Sequence, residues 1–226
     1  MKKSLIILTI TLTLCACNTT GRPEKEVFTV NFNSPKIPMG ELEVQINAPF
    51  PLPGIRKHTA ILTYYPVEDA VCLQYVSDLI TYYQCWSRKG RAAFINALEE
   101  YKSDYDARNL STANRSQTRQ KYGPVQGFLM WRMHRFAILA RAEVRIDLGY
   151  LFVSNAPYFT LYQRDAHYVD PAIRDNNRDS SRIPMYFTRA QADELALRFD
   201  QSYLLELASG NESNAYNEKD VGVDQY

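Results

Sequence analysis

The clearest pattern in the chain is an alternation of apolar and polar residues over positions 142–152. The apolar positions are Ala142, Val144, Ile146, Leu148, Tyr150 and Phe152. Glu143, Arg145, Asp147 and Gly149 stand between them. A period of two is typical of a β-strand with one buried face and one face in water. The pattern therefore predicts a strand here.

Segments on both sides of this strand also have strand patterns. Residues 128–133 carry apolar side chains on both faces, whereas residues 158–164 alternate again. The link at 154–157 is short and rich in turn-forming residues, which favours an antiparallel hairpin. Together these segments predict a three-stranded β-meander over residues 125–168.

Three earlier segments, residues 28–33, 41–47 and 59–65, show strand patterns as well. The first two could form a hairpin with a long connection. Prolines at alternate positions in residues 49–53 favour an extended connector. Residues 71–86 fit either a strand or a helix, and their content of Val, Thr, Tyr and Trp favours a strand.

Two segments have helical periodicity instead. Residues 87–108 begin with Ser87 as a plausible N-cap. Residues 188–209 begin with a capping-box pattern of Thr188 and Gln191. The apolar stripes are Phe94, Leu98, Tyr101 and Tyr105 in the first helix, and Leu195, Phe199, Tyr203 and Leu207 in the second.

These elements predict a single α+β domain over residues 27–210. A mainly antiparallel sheet would carry the two helices packed against it. Gly210 is expected to end the last helix, because glycine readily takes the left-handed conformation of a helix C-cap. Residues 211–226 contain few apolar residues and are expected to form a disordered polar tail.

The N-terminus has the features of an export signal. Lys2 and Lys3 precede an apolar run at 5–14, which is shorter than the roughly 20 residues that span a bilayer. The sequence Leu14-Cys15-Ala16-Cys17 resembles the lipobox of bacterial lipoproteins. The resemblance implies cleavage after residue 16 and a diacylglycerol on Cys17, although that family more often has Ser, Ala or Thr where Cys15 stands.

Residues 17–26 would then form a short polar tether between lipid and domain. Loss of Lys2 and Lys3 leaves 24 Lys and Arg residues against 25 Asp and Glu residues, a formal net charge of −1. No net attraction to nucleic acid or anionic lipid is expected from this charge. Attachment to the membrane is therefore expected to depend on the lipid.

Cysteine and histidine give no motif for a cofactor or a metal site. An exported protein can form disulfides, so a bond between Cys72 and Cys85 stays open. If both lie on one strand, their separation of thirteen residues puts them too far apart and on opposite faces, which favours buried free thiols. The histidines have no metal-ligand spacing, and no catalytic motif is present. An envelope hydrolase or transferase with a site around His134, Asp165 and His167 is the alternative that remains.

Tyrosine is abundant, with 16 residues, and it marks one candidate contact face. Tyr158, Tyr162 and Arg164 lie on one side of the strand predicted at 158–164. Tyrosine and arginine are favoured in contact surfaces. The alternative is that tyrosine is simply a good strand residue.

The body of the chain resembles uncharacterised lipoproteins of spirochaetes over about residues 60–207. The segments that carry the resemblance are Tyr82-Tyr83-Gln84, residues 90–94, residues 101–104, Leu148-Gly149-Tyr150 and Pro157-Tyr158-Phe159. The resemblance implies a strand before Ser87 and a cell with two membranes, but no activity. We therefore expect a lipid-anchored, non-catalytic envelope protein that binds or scaffolds an envelope protein or a cell-wall glycan.

Overall fold

Antiparallel strands dominate the computed structural model, which describes residues 28–48, 54–112, 115–133, 139–168 and 179–220. The described strands are β1 (Ile37–Ala48), β2 (Gly54–Tyr65), β3 (Ala70–Ser77), β4 (Ile80–Ser87), β5 (Pro124–Met133), β6 (Leu139–Val153), β7 (Ala156–Gln163) and β8 (Ile183–Phe187). The described helices are α1 (Arg88–Asp106), α2 (Arg115–Thr118), α3 (Arg189–Phe199) and α4 (Gln201–Asp220). Each strand pairs with the next, so the chain runs up and down around one sheet.

The sheet closes on itself, and the predicted open α+β sheet is therefore wrong. β8 returns to β1, where Gln45 pairs with Tyr186 and Ile46 pairs with Met185, and this completes a barrel of eight strands. Alternation along a strand is the same in an open sheet and in a barrel. Closure depends on pairing between the first and last strands, which no local pattern reports.

The strands predicted over 125–168 are present, but they form part of the barrel wall. β5 pairs with β6, and β6 pairs with β7, both antiparallel. The strand predicted at 28–33 is not formed. Phe28, Val30 and Phe32 instead lie in a segment without regular structure that packs on the outside of the barrel, against a cluster containing Tyr65 and Phe128.

The segment at 71–86 is two strands rather than one, and its two cysteines are bonded. Asp78 and Leu79 adopt φ angles of 50° and 64° and form a two-residue turn between β3 and β4. This turn sets Cys72 directly opposite Cys85, with Cα atoms 4.0 Å apart, in a disulfide. The prediction of free thiols is wrong because it placed both residues on a single strand.

The two long predicted helices are present with modified ends. Ser87 caps α1 by accepting from the Gly90 amide, and Thr188 and Gln191 form the predicted capping box of α3. The predicted 188–209 helix is broken, because Asp200 is extended and its carboxylate accepts from the amides of residues 202 and 203, starting α4. α4 runs on to residue 220, past the predicted end at residue 209.

The core fills the barrel and continues to the end that α1 and α3 cover. Leu62, Leu129 and Leu161 are fully buried on the inner faces of β2, β5 and β7. Phe94 of α1 and Phe199 of α3 pack against each other, with ring centroids 5.1 Å apart. The helices therefore close one end of the barrel.

Candidate functional site

The outer surface of β6 and β7 gathers four arginines around one tyrosine and one aspartate, and we call it the Arg–Tyr face. Its members are Arg119, Arg145, Asp147, Tyr162, Arg164 and Arg182. The arginines come from four segments: the residues after α2, strand β6, the end of β7 and the residues before β8. The barrel therefore brings together residues that lie up to 63 positions apart in sequence.

Tyr162 lies at the centre of this face, but arginine side chains cover its ring, so little of it is exposed to solvent. Its side chain is only 6% exposed. The guanidinium carbons of Arg119 and Arg164 lie 5.2 and 5.1 Å from its ring centroid, which is cation–π distance. Arg182 hydrogen-bonds to the Tyr162 hydroxyl, and this bond raises the pKa of Arg182.

A buried carboxylate fixes two of these arginines. Asp147 has no exposed side-chain surface and accepts from Arg145 Nε at 2.8 Å and from Arg164 Nε at 2.6 Å. About half of each arginine side chain remains exposed. An arginine held in place on one side can bind an oxygen acceptor on the other side with little further loss of side-chain freedom.

The predicted contact residues are thus only partly assembled. Tyr162 and Arg164 are in direct contact, whereas Tyr158 is half-buried four positions along β7, about 13 Å away at strand spacing. The surface offers guanidinium groups rather than tyrosine rings. Sequence periodicity placed Tyr162 and Arg164 on one face, but the contribution of Arg119 and Arg182 depends on the tertiary fold.

The residues named for an enzymatic alternative do not form a described cluster. His134 lies outside the described residues, and so does Cys17. His167 is exposed, with its Nδ1 atom 2.7 Å from Asp179 Oδ2, while Asp165 accepts the backbone amide of Arg182. Across the described ranges, no group of three His, Cys, Asp or Glu residues could hold a metal ion.

Buried polar residues inside the barrel are satisfied by one another. The side-chain carbonyl oxygen of Gln163 accepts from the Tyr75 hydroxyl and from the Gln84 side-chain amide. The side-chain carbonyl oxygen of Gln84 in turn accepts from the Trp86 indole N–H. Burial raises the pKa of Tyr75 well above its usual value and that of Tyr82 to about 12. Both phenols are therefore neutral near pH 7, and the network satisfies the polar groups of Tyr75, Gln84 and Gln163 inside the barrel.

No helix in the described part of the chain has both the length and the apolar composition to cross a membrane. This finding concerns the described helices alone, and the apolar run at 5–14 lies outside them.

An "Uncharacterized protein" of Treponema pallidum (strain Nichols) is 29% identical over 146 residues, which cover 61% of this chain and 52% of that protein. The chain thus spans about half the length of this curated relative. No solved structure matches. A family model described as "Uncharacterised Treponema protein" matches residues 23–206, and the chain belongs to that family.

Proposed function

We propose that this protein is anchored in the cell envelope by a lipid on Cys17 and binds a partner protein through the Arg–Tyr face, without catalysing a reaction. The observation that carries the proposal is the convergence of three guanidinium groups, those of Arg119, Arg164 and Arg182, on Tyr162, with a fourth, that of Arg145, beside them on Asp147. Support for the anchor comes from the resemblance of residues 14–17 to a lipobox.

The chemistry of the face suits an acidic protein surface. Asp147 is fully buried and balances the charges of Arg145 and Arg164 on the protein side of their guanidinium groups. About half of each arginine side chain is exposed to solvent. Arginine is enriched in the centres of protein interfaces, where its planar fork binds carboxylates in two places. Arginines whose positions are already fixed lose little entropy on binding.

Lipidation is tested by labelling. The wild-type chain should incorporate labelled palmitate and partition with membranes. Cys17→Ser should not incorporate the label, and its precursor should stay uncleaved or be released. If Cys17→Ser still partitions with membranes and takes the label, lipidation at this residue is excluded.

Partner binding is tested by affinity capture from detergent-solubilised envelopes. The double variant Arg119→Ala, Arg182→Ala removes the two arginines that are not bonded to Asp147 and should lose the partner. A matched control, Arg88→Ala with Arg132→Ala, removes two exposed arginines elsewhere and should retain it. Equal retention by the two double variants would remove the Arg–Tyr face from the proposal.

A further inference from the structure

A second surface, at the end of the barrel that the helices cover, combines aromatic and charged side chains in a shallow groove. Its volume is about 460 Å³, and its lining residues are Tyr105, Asp106, Arg108, Leu110, Phe152 and Pro157. The size lies within the range of small-ligand sites. We call it the Tyr105 groove, and it shares no residue with the Arg–Tyr face.

Arg108 occupies this groove in a backbone conformation that arginine disfavours. Its φ angle is 56°, in the left-handed region. The Arg108 amide donates to the Tyr105 carbonyl at 3.1 Å, and the Asn109 amide donates to the Asp104 carbonyl at 2.9 Å. These two bonds form the Schellman motif that ends α1, in which glycine is the usual residue at the left-handed position. Arginine at this position lowers the stability of the helix end, and the groove gains a guanidinium group.

The aromatic wall of the groove is held in place before any ligand binds. The guanidinium carbon of Arg189 lies 4.7 Å from the Tyr105 ring centroid, and Arg189 also forms an ion pair with Asp106 at 3.2 Å. Tyr105 remains 38% exposed. Its ring orientation is therefore fixed, while part of the ring stays open to solvent.

The charges around the groove favour a ligand with one negative charge. Asp106 is compensated by Arg189, which leaves Arg108 as the uncompensated charge among the lining residues. The Asp106 Oδ2 atom lies on a carboxylate that is 66% exposed, and it can accept from a hydroxyl group. Tyr105 and Phe152 offer apolar ring surface beside these polar groups.

We propose that the Tyr105 groove binds a carboxylated saccharide. The apolar face of the sugar ring packs on Tyr105 and Phe152, and a sugar hydroxyl donates to Asp106. The sugar carboxylate accepts two parallel hydrogen bonds from the Arg108 guanidinium group. This site goes beyond the protein partner proposed above, and the two proposals fail independently because their residues differ.

The test compares two sugars that share one ring and differ in one carboxylate. N-acetylmuramic acid carries a lactyl carboxylate that N-acetylglucosamine lacks. Ligand-detected NMR titration of the full chain in detergent should show at least about tenfold tighter binding of the acidic sugar, as expected for one charge-assisted fork. Arg108→Gly should abolish this preference and raise Tm by about 2–4 °C, because glycine adopts the left-handed conformation without strain.

Leu79→Gly is the matched control. Leu79 also has a left-handed φ angle, 64°, but it lies in the β3–β4 turn at the opposite end of the barrel. This variant should gain thermal stability and keep the wild-type sugar preference. The proposal is overturned if neither sugar binds, if the two bind equally, or if Arg108→Gly keeps the preference.

Discussion

Replacing Arg91 with alanine is expected to destabilise the fold by about 3–5 kcal/mol, the usual cost of breaking a buried ion pair. Arg91 lies on α1 with only 1% of its side chain exposed. It joins α1 to two other parts of the chain: the turn between β2 and β3, through Asp69, and the junction of α3 and α4, through the Phe199 carbonyl and Gln201.

The magnitude follows from the acceptors that would lose their donor. Arg91 Nη2 lies 2.6 Å from Asp69 Oδ1 and 2.7 Å from Gln201 Oε1, and Nη1 lies 2.5 Å from the Asp69 carbonyl. Two longer bonds, both 3.3 Å, reach the carbonyls of Trp86 and Phe199. Each buried acceptor left unpaired costs about 1–3 kcal/mol, but Asp69 is 31% exposed, so water compensates part of its loss.

Urea unfolding monitored by the fluorescence of the two buried tryptophans, Trp86 and Trp131, measures this effect. Arg91→Lys keeps the charge but not the planar fork, and it should lose about half as much stability as Arg91→Ala. Arg88→Ala, an exposed arginine three residues earlier on the same helix, should change stability by less than about 0.5 kcal/mol. A loss below about 1 kcal/mol for Arg91→Ala, with an unchanged urea slope, would refute the reasoning.

Three further perturbations test other parts of the fold. Gly149→Ala should destabilise by about 1–3 kcal/mol in urea unfolding, because a Cβ at this position would overlap the Thr118 carbonyl oxygen. Thr188→Ala should cost about 1 kcal/mol in the same assay, since it removes the capping box of α3. A hydrogen bond from Lys121 lowers the pKa of Asp104 below its usual 3.8, so its contribution to stability is present above that value and is lost as the pH falls. Asp104→Asn should therefore show a smaller decrease in Tm than wild type between about pH 5 and about pH 2.

The elements with standard local signals were predictable, and those with unusual residues were not. Thr188 and Gln191 have the spacing of a capping box, and α3 begins there. The β3–β4 turn has Asp78 and Leu79 at its two central positions, where Asn-Gly or Asp-Gly is the usual sequence signal. Because leucine rarely adopts a positive φ angle, the sequence does not indicate a turn at this point. The single hidden turn also caused the wrong prediction for the cysteines.

The Arg–Tyr face shows the same limit for the candidate site. Period two places Tyr162 and Arg164 on one side of β7 without knowledge of the fold. The position of Asp147 beside them requires the register in which Asp147 pairs with Tyr162. Arg119 and Arg182 reach the ring from segments outside the sheet, so the face as a whole depends on tertiary structure.

Closure of the barrel agrees with the area that the helices can cover, once the structure has shown that the sheet has eight strands. Eight strands of about 10 residues make a face roughly 38 Å wide and 34 Å long, or about 1,300 Å². α1 has 19 residues, α3 has 11, and the first half of α4 adds about 10, giving about 60 Å of helix. At a helix diameter of about 10 Å these cover about 600 Å², roughly half of the face. An open sheet would leave the other half in water, and rolling the sheet into a barrel buries it.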